Sequence, residues 1–182
     1  CIRDSNTILI TAAFYLFFIT LRDFFHRKYR NLSQITAHFS FSILILSILF
    51  NNIFSSEVIT NLKINETYQA QNLKINFESI EQENKQNFKA IKGKFIVEDQ
   101  SGLIEVMQPE LRIYNQPNIV TSEADIKTNI FTDKFMTMNY VQNQDYFNIR
   151  YQVKPFMIWI WISTILLCLS GCLSLIRKKY EN

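Results

Sequence analysis

The chain has 182 residues, 48% of them hydrophobic, and 19 Lys and Arg against 16 Asp and Glu give a formal net charge of +3. Gly and Pro are scarce, with three of each, which excludes collagen-like and low-complexity disordered classes. Basic residues cluster beside uncharged apolar runs and do not stripe the polar segment, so the pattern excludes a nucleic-acid-binding surface. This segregation is typical of a membrane protein with one polar excursion.

Residues 1–34 are predicted to form a first membrane helix and a basic cytoplasmic loop. The uncharged run Thr7–Leu21 is short for a full span, so an interfacial or re-entrant helix is an alternative. The positive-inside rule places the basic cluster in Arg22–Arg30 in the cytoplasm. Ser33 is predicted to cap the next helix. The chain starts at Cys1 rather than Met. We expect it to begin partway through a longer reading frame, and a lipidated mature terminus is the alternative.

Residues 35–56 are predicted to form a second membrane helix. Its apolar run, Ile35–Phe54, is long enough to cross a hydrocarbon core of about 30 Å. One ionisable side chain, His38, lies inside the run, and such a residue is a candidate functional site. Small residues at Ser33, Ala37, Ser40 and Ser47 recur along one stripe of the helix. That stripe predicts packing in a helical bundle rather than a lone anchor.

Residues 57–154 are predicted to form a small antiparallel all-β domain, either a sandwich or an open barrel. Alternating or strand-like runs occur at residues 73–78, 94–98, 103–107, 111–114, 134–141 and 147–153. Asp99–Gly102 predicts a hairpin, and Asn115–Asn118 predicts a turn or loop. The polar stretch Glu81–Asn87 is predicted to be an exposed loop.

Residues 155–182 are predicted to form a third membrane helix and a basic cytoplasmic tail. Phe156–Ile176 is uncharged and of spanning length, and Trp159 and Trp161 stand near its start, where indole rings favour the headgroup level. Arg177–Lys179 would hold the other end in the cytoplasm. The fold class is therefore predicted as three membrane spans plus an extracytoplasmic β domain.

His38 is the residue most suited to carry chemistry. An imidazole can bind haem iron, relay protons or sense pH, while the alternative is an interfacial histidine that reaches water. A haem with two histidine ligands needs a partner, and His26 lies in the basic loop, a poor place for an intramembrane ligand. We expect any second ligand to come from outside this chain.

The remaining polar residues predict no self-sufficient active site, and no catalytic residue is assigned. Glu110, Glu123, Asp125 and Asp133 fall at turns and strand ends, which favours solvated surface positions. The thiols of Cys1, Cys168 and Cys172 all lie outside the polar segment, so a disulfide framework or Cys-based zinc site is not available there.

Several motifs recur in a specific order along the chain. Ala37-His38 opens a span, and Pro109-Glu110-x-Arg112-x-Tyr114 and Ser122-Glu123-Ala124-x-Ile126 follow within the β segment. Arg150-Tyr151-x-x-Lys154-Pro155-Phe156-x-x-Trp159-Ile160-Trp161 then leads into the last span. Together these motifs resemble the C-terminal part of the CcmF family, the haem lyase subunit of the cytochrome c maturation system.

The resemblance implies a function in attaching haem to apocytochrome c. It implies that His38 is one axial ligand of a haem b held in the membrane. It also implies that haem comes from a periplasmic haem chaperone. The implied partners are other maturation proteins and either the upstream remainder of the protein or a separate N-terminal subunit. The implied location is the bacterial or mitochondrial inner membrane, with the β domain on the periplasmic or intermembrane side.

Two departures from the family pattern limit that expectation. Ser40 stands where the family usually has Gly, and the tryptophan-rich haem-handling segment with its flanking histidines is absent from this sequence. We therefore expect the chain to be incompetent in catalysis alone. The alternative function, from another class, is a membrane-anchored β module that binds or scaffolds a partner without a cofactor.

Overall fold

The structure is a computed structural model that describes residues 2–26, 32–70, 73–99, 102–142 and 144–181, with the side chains at 2–6, 24, 26 and 177–181 outside that description. The described residues form two compact units. One unit contains the helices together with the short segment Asn129–Asp133, and the other contains most of the strands.

The helical unit is built from α1 (Ile2–His26), α2 (Leu32–Phe54) and α3 (Met157–Glu181). Within the described residues, two segments are long and apolar enough to cross a membrane, Leu32–Phe54 and Met157–Ile176. The apolar runs predicted for the second and third helices are thus confirmed as helices of spanning length. The first helix does not meet the same criterion, so three spans stay a prediction.

Small polar residues line the contacts of α2 with its two neighbouring helices. Ser40, Ser42 and Ser47 of α2 are buried, as is Ser170 of α3. The hydroxyls of Ser40, Ser42 and Ser170 donate to carbonyls of their own helices, as when Ser40 donates to the carbonyl of Thr36 at 2.6 Å. A hydroxyl that donates to a carbonyl of its own helix leaves no unsatisfied donor when it is buried. Because serine is also small, the backbones of neighbouring helices can approach closely. The prediction that α2 packs in a bundle is therefore confirmed, since α2 contacts both α1 and α3.

The predicted cap at Ser33 is wrong. The helix already includes Leu32, and the Ser33 hydroxyl donates instead to the backbone carbonyl of Ser170 on α3 at 2.8 Å. A serine can cap its own helix or bridge to a neighbour, and here the close approach of α3 supplies the better acceptor. Asn31 and the basic residues Arg27, Lys28 and Arg30 lie outside the described residues.

The other unit consists of short antiparallel strands. The ten strands of the described chain are β1 (Ser56–Leu62), β2 (Thr67–Ala70), β3 (Leu73–Asn84), β4 (Phe88–Asp99), β5 (Ile104–Met107), β6 (Glu110–Tyr114), β7 (Val120–Glu123), β8 (Asp125–Thr128), β9 (Thr132–Tyr140) and β10 (Phe147–Pro155). They form one sheet of order β1-β10-β9-β8 and a second of order β2-β3-β4-β6-β7, with β5 paired to β4. The predicted antiparallel β fold is confirmed as two sheets.

Inward-facing side chains from both sheets make one hydrophobic core. Phe77 and Phe95 are fully buried and stack with ring centroids 4.3 Å apart. Met138 and Ile149, from the other sheet, are equally buried in the same cluster. Buried and partly buried residues alternate over 93–97 of β4, which is the period of two expected for a strand with one face in the core.

The predicted loop Glu81–Asn87 is largely wrong. Residues Glu81–Asn84 continue β3 and pair with β4, from Glu81 opposite Lys92 to Asn84 opposite Lys89. Polar composition suggested a loop, but cross-strand pairs of opposite charge make a polar strand stable. Residues 85–87 alone form the turn.

The predicted hairpin at Asp99–Gly102 is confirmed. Asp99 donates its N–H to the carbonyl of Leu103 at 3.2 Å, and Gly102 adopts a φ of 74°, a left-handed conformation that glycine reaches without a steric penalty. The predicted turn at Asn115–Asn118 also connects two paired strands, β6 and β7. Strands β1, β2, β7 and β8 were not predicted, because each is short or weakly alternating.

Candidate functional site

His38 lies in the second turn of α2 and is exposed. Gln34 and Ile35, three to four residues earlier, lie one turn away on the same face of the helix. These three residues and two from α1, Thr20 and Asp23, line a cavity of about 210 Å³. The sequence placed His38 inside an apolar run, but it did not reveal the polar wall that α1 contributes.

The α1 wall of this cavity combines a satisfied hydroxyl with a carboxylate. Thr20 is buried, and its hydroxyl donates to the carbonyls of Leu16 and Phe17, both at 2.9 Å. Asp23 is half-buried and lies 3.5 Å from the guanidinium of Arg22. Phe17 also stacks on Phe39 of α2, with ring centroids 5.6 Å apart, which fixes α1 against α2 beside the cavity.

A haem fits this cavity only in part. A pocket that encloses a drug-sized ligand measures about 300–1,000 Å³, so a cavity of about 210 Å³ holds one edge of a porphyrin at most. The exposed imidazole of His38 is a suitable axial ligand. His38 is the one histidine whose side chain the structure describes, since that of His26 lies outside the description. The rest of a haem pocket would need residues beyond those described.

No group of three His, Cys, Asp or Glu side chains that could hold a metal ion occurs in the described part of the chain. Cys168 and Cys172 are free and exposed on α3.

The motif residues of the sheet form a surface network of ion pairs. Glu110 lies 3.1 Å from the guanidinium of Arg112 and 3.4 Å from the ammonium of Lys92, which also pairs with Glu83 at 3.0 Å. These hydrogen bonds and charges raise the pKa of Lys92 and lower that of Glu83. The Arg112 guanidinium also lies over the ring of Phe88, 5.2 Å from its centroid. The four charged side chains thus form one connected network on the sheet.

The prediction of a solvated surface position is wrong for one of the four carboxylates. Asp133 is buried, with 8% of its surface exposed, and its Oδ1 has no hydrogen-bond partner among the described residues. Asp125, by contrast, is hydrogen-bonded, since its Oδ2 accepts the backbone N–H of Gln108 at 2.7 Å. Glu123 stays partly exposed, 3.8 Å from Arg112. Turn-like composition alone does not reveal such burial.

A second cluster in the helical unit joins the start of α3 to the loop between β8 and β9. The indole Nε1–H of Trp159 donates to the carbonyl of Ile130 at 2.9 Å. Trp161 is exposed. Sequence reasoning singled out both tryptophans but missed Ile130 and Phe131. The available signal was the occurrence of two adjacent large apolar residues in a turn.

Comparison with known proteins gives one matching family. The family model described as the CcmF C-terminal β-sandwich matches residues 53–155, more than half of the chain. The resemblance noted from the motifs is thereby confirmed.

The chain is also similar to proteins named for cytochrome c-type biogenesis. The chain is 29% identical over 120 residues to the cytochrome c-type biogenesis protein ccl1 of Rhodobacter capsulatus, covering 66% of this chain and 18% of that protein. It is 24% identical to CcmF of Haemophilus influenzae, covering 89% and 26%, and 23% identical to CcmF of Escherichia coli, covering 82% and 23%. The chain thus spans about a quarter or less of the length of these relatives.

A solved structure shares the fold. The cytochrome c haem lyase CcmF matches with a TM-score of 0.60 and 17% identity, over 76% of this chain and 23% of that one.

Proposed function

We propose that this chain, which belongs to the family defined by the CcmF C-terminal β-sandwich, is the C-terminal portion or a separate subunit of a haem lyase that matures cytochromes c. The observation that carries the proposal is the combination of this β-sandwich with an exposed imidazole on an apolar helix of spanning length. Because the chain spans a small share of its relatives, catalysis needs a further portion.

His38 is proposed to supply one axial nitrogen to a haem b in the membrane. When bound, the haem supplies the iron centre and the tetrapyrrole that the system handles. The α2 helix orients the imidazole, the Phe17–Phe39 stack holds α1 beside it, and the side chain of Asp23 adds a charged polar edge to the cavity. We expect the second ligand to come from outside this chain, because the other histidine, His26, lies in the basic loop that is predicted to be outside the membrane.

The proposed topology has three spans, with the β unit on the periplasmic or intermembrane side of a bacterial or mitochondrial inner membrane. Its support is the position of the basic residues in Arg22–Arg30 and Arg177–Lys179, both of which the positive-inside rule assigns to the cytoplasm. A cysteine placed at exposed Lys127 should react with an impermeant maleimide added from the periplasmic side. Labelling from the cytoplasmic side alone would refute this topology.

The proposed partners are the upstream remainder of the protein or a separate N-terminal subunit, a haem chaperone, apocytochrome c and other maturation proteins. The names of the relatives support this assignment, since each is described as a cytochrome c-type biogenesis protein.

The deciding experiment replaces His38 with Ala in membranes that contain both this chain and its upstream counterpart. The unsubstituted pair should give a low-spin b-type spectrum, because low-spin haem needs two strong-field nitrogens. His38→Ala should abolish the low-spin bands or lower haem occupancy, and added imidazole should restore them in part.

Two controls separate ligation from folding. Gln34→Ala changes the same cavity without removing a ligand, and His26→Ala removes the other histidine, so both should keep the low-spin spectrum. Protein abundance in the membrane must match in all variants. A normal low-spin spectrum in His38→Ala at normal abundance would refute the ligand assignment and favour the cofactor-free scaffold. The small volume of the cavity also suits that alternative function.

A further inference from the structure

The loop between β8 and β9 belongs structurally to the helices. Residues Asn129–Asp133 group with the helical unit, although strands flank them on both sides. Two hydrogen bonds to backbone carbonyls make the link: the carbonyl of Ile130 accepts the Trp159 indole N–H at 2.9 Å, and the carbonyl of Phe131 accepts the N–H of Phe156 at 2.7 Å. The loop is therefore tied to the first turn of α3.

The backbone of the loop is also closed on itself. Asn129 donates its N–H to the carbonyl of Thr132 at 2.9 Å, and its side-chain oxygen accepts the N–H of Phe131 at 3.0 Å. Unpaired N–H and C=O groups are costly in a low-dielectric medium. The turn and α3 pair the N–H groups of Asn129 and Phe131 and the carbonyls of Ile130, Phe131 and Thr132, which lowers the cost of moving the loop into such a medium.

The side chains at the tip of the loop face outward and are apolar. Ile130 is 62% exposed and Phe131 60% exposed. No charged residue lies between Asn129 and Thr132. Large apolar side chains are also exposed along α3, among them Trp161 and Ile165. Trp159, which holds the loop, is of the residue type that favours the boundary between headgroups and acyl chains.

We propose that this loop is an interfacial membrane anchor in which Ile130 and Phe131 insert into the lipid surface at the level of the first turn of α3. The occupant is lipid rather than a protein partner, because the loop is hydrogen-bonded to the start of a helix of spanning length. The anchor gives the polar segment a second attachment to the bilayer besides the ends of the helices. The proposal rests on α3 crossing the membrane, which is part of the proposed function.

The test measures probe depth in the full chain, reconstituted in phosphatidylcholine–phosphatidylglycerol nanodiscs with its own cysteines replaced by Ser. Nitroxides are attached one at a time to Ile130→Cys, to Ile165→Cys as a reference in the span, and to Ile104→Cys. Ile104 is a matched control, since it is a 66% exposed isoleucine in the other compact unit. Collision rates with oxygen and with a water-soluble nickel chelate then report lipid or water.

We expect oxygen collisions to dominate at 130 and 165 and nickel collisions to dominate at 104. Nickel dominance at 130 with oxygen dominance at 165 would overturn the anchor and leave the span intact. An immobilised probe at 130 that neither reagent reaches would overturn it in favour of a protein partner. Nickel dominance at 165 would refute the span, and the anchor with it. Oxygen dominance at 104 would show that the nitroxide itself drives insertion, which also overturns the proposal.

A second measurement covers the case in which a cysteine variant misfolds. In Trp161→Phe, the emission of Trp159 reports the loop in an otherwise native chain. Adding Ile130→Ser should shift that emission to longer wavelength in nanodiscs, because water gains access to the indole, whereas Ile104→Ser should leave it unchanged. An unchanged emission in the Ile130 variant would overturn the proposal.

Discussion

Trp159 and Ile130 are joined by a hydrogen bond of 2.9 Å between the indole Nε1–H and a backbone carbonyl 29 residues earlier in the chain. We expect Trp159→Phe to keep the aromatic packing and lose this bond, at a cost of about 0.5–1.5 kcal/mol in the free energy of unfolding. Hydrogen exchange of the amides at residues 129–133 should accelerate. Trp161→Phe, at an exposed position, is the control and should leave that exchange unchanged.

Gly93 occupies a place in the sheet core where a side chain does not fit. A Cβ there would lie 2.6 Å from Cε2 of Phe95 and 2.8 Å from Sδ of Met138, and Phe95 is fixed by its stack on Phe77. We expect Gly93→Ala to destabilise the chain by about 1–3 kcal/mol through overpacking. Denaturant unfolding should show this as a lower midpoint.

Gly171 provides the matched control for Gly93. It lies in α3, where an added Cβ meets nothing within 4 Å, so Gly171→Ala should be neutral or stabilising, since alanine favours a helix over glycine. Equal destabilisation by both substitutions would contradict the packing argument.

Tyr151 links stability to alkaline pH. Burial, with a smaller effect of the nearby carboxylates of Glu105 and Asp99, raises the pKa of its phenol from 10.0 to about 12. The folded state therefore favours the neutral phenol, and this contribution is complete below pH 10 and lost as the pH rises through about 12. A shift of this size corresponds to about 2–3 kcal/mol. The difference in stability between wild type and Tyr151→Phe should therefore change across that window, as measured by denaturant unfolding.

The ionisation of Tyr151 can be followed directly. The absorbance at 295 nm of the wild type, minus that of Tyr151→Phe, should show one phenol titrating well above 10.0. A difference curve centred at the ordinary value would contradict the buried, neutral phenol.

The Lys92–Glu83 pair links stability to acidic pH. A hydrogen bond from Lys92 and the charges of Lys85 and Lys92 lower the pKa of Glu83 below its usual 4.5. The contribution of Glu83 is therefore present above pH 4.5 and lost as the pH falls through the lowered value. Lys92→Gln should raise the pKa of Glu83, as measured by carbon-13 NMR of the carboxyl group. Lys74→Gln removes an ion pair with Glu98 instead, so it should leave the pKa of Glu83 unchanged.

Local pattern by itself determined the classes of element and their order. Two uncharged runs of spanning length can only be buried in an apolar environment as helices, because a helix satisfies its own backbone. Strict alternation over Leu73–Glu78 and Phe147–Val153 likewise permits little besides strands with one buried face. The family followed from motifs in a fixed order. His38 was singled out as a candidate because an ionisable residue is rare in such a run.

The tertiary structure decided whatever depends on partners distant in sequence. The strand at Glu81–Asn84 forms because Lys92 and Lys89 lie opposite it, and Asp133 is buried by the fold around it rather than by its neighbours in sequence. The polar wall beside His38 comes from α1, and the attachment of Ile130 comes from Trp159. Periodicity reports which face of an element is apolar, but a hydrogen bond or a cavity wall forms only after packing brings separate segments together.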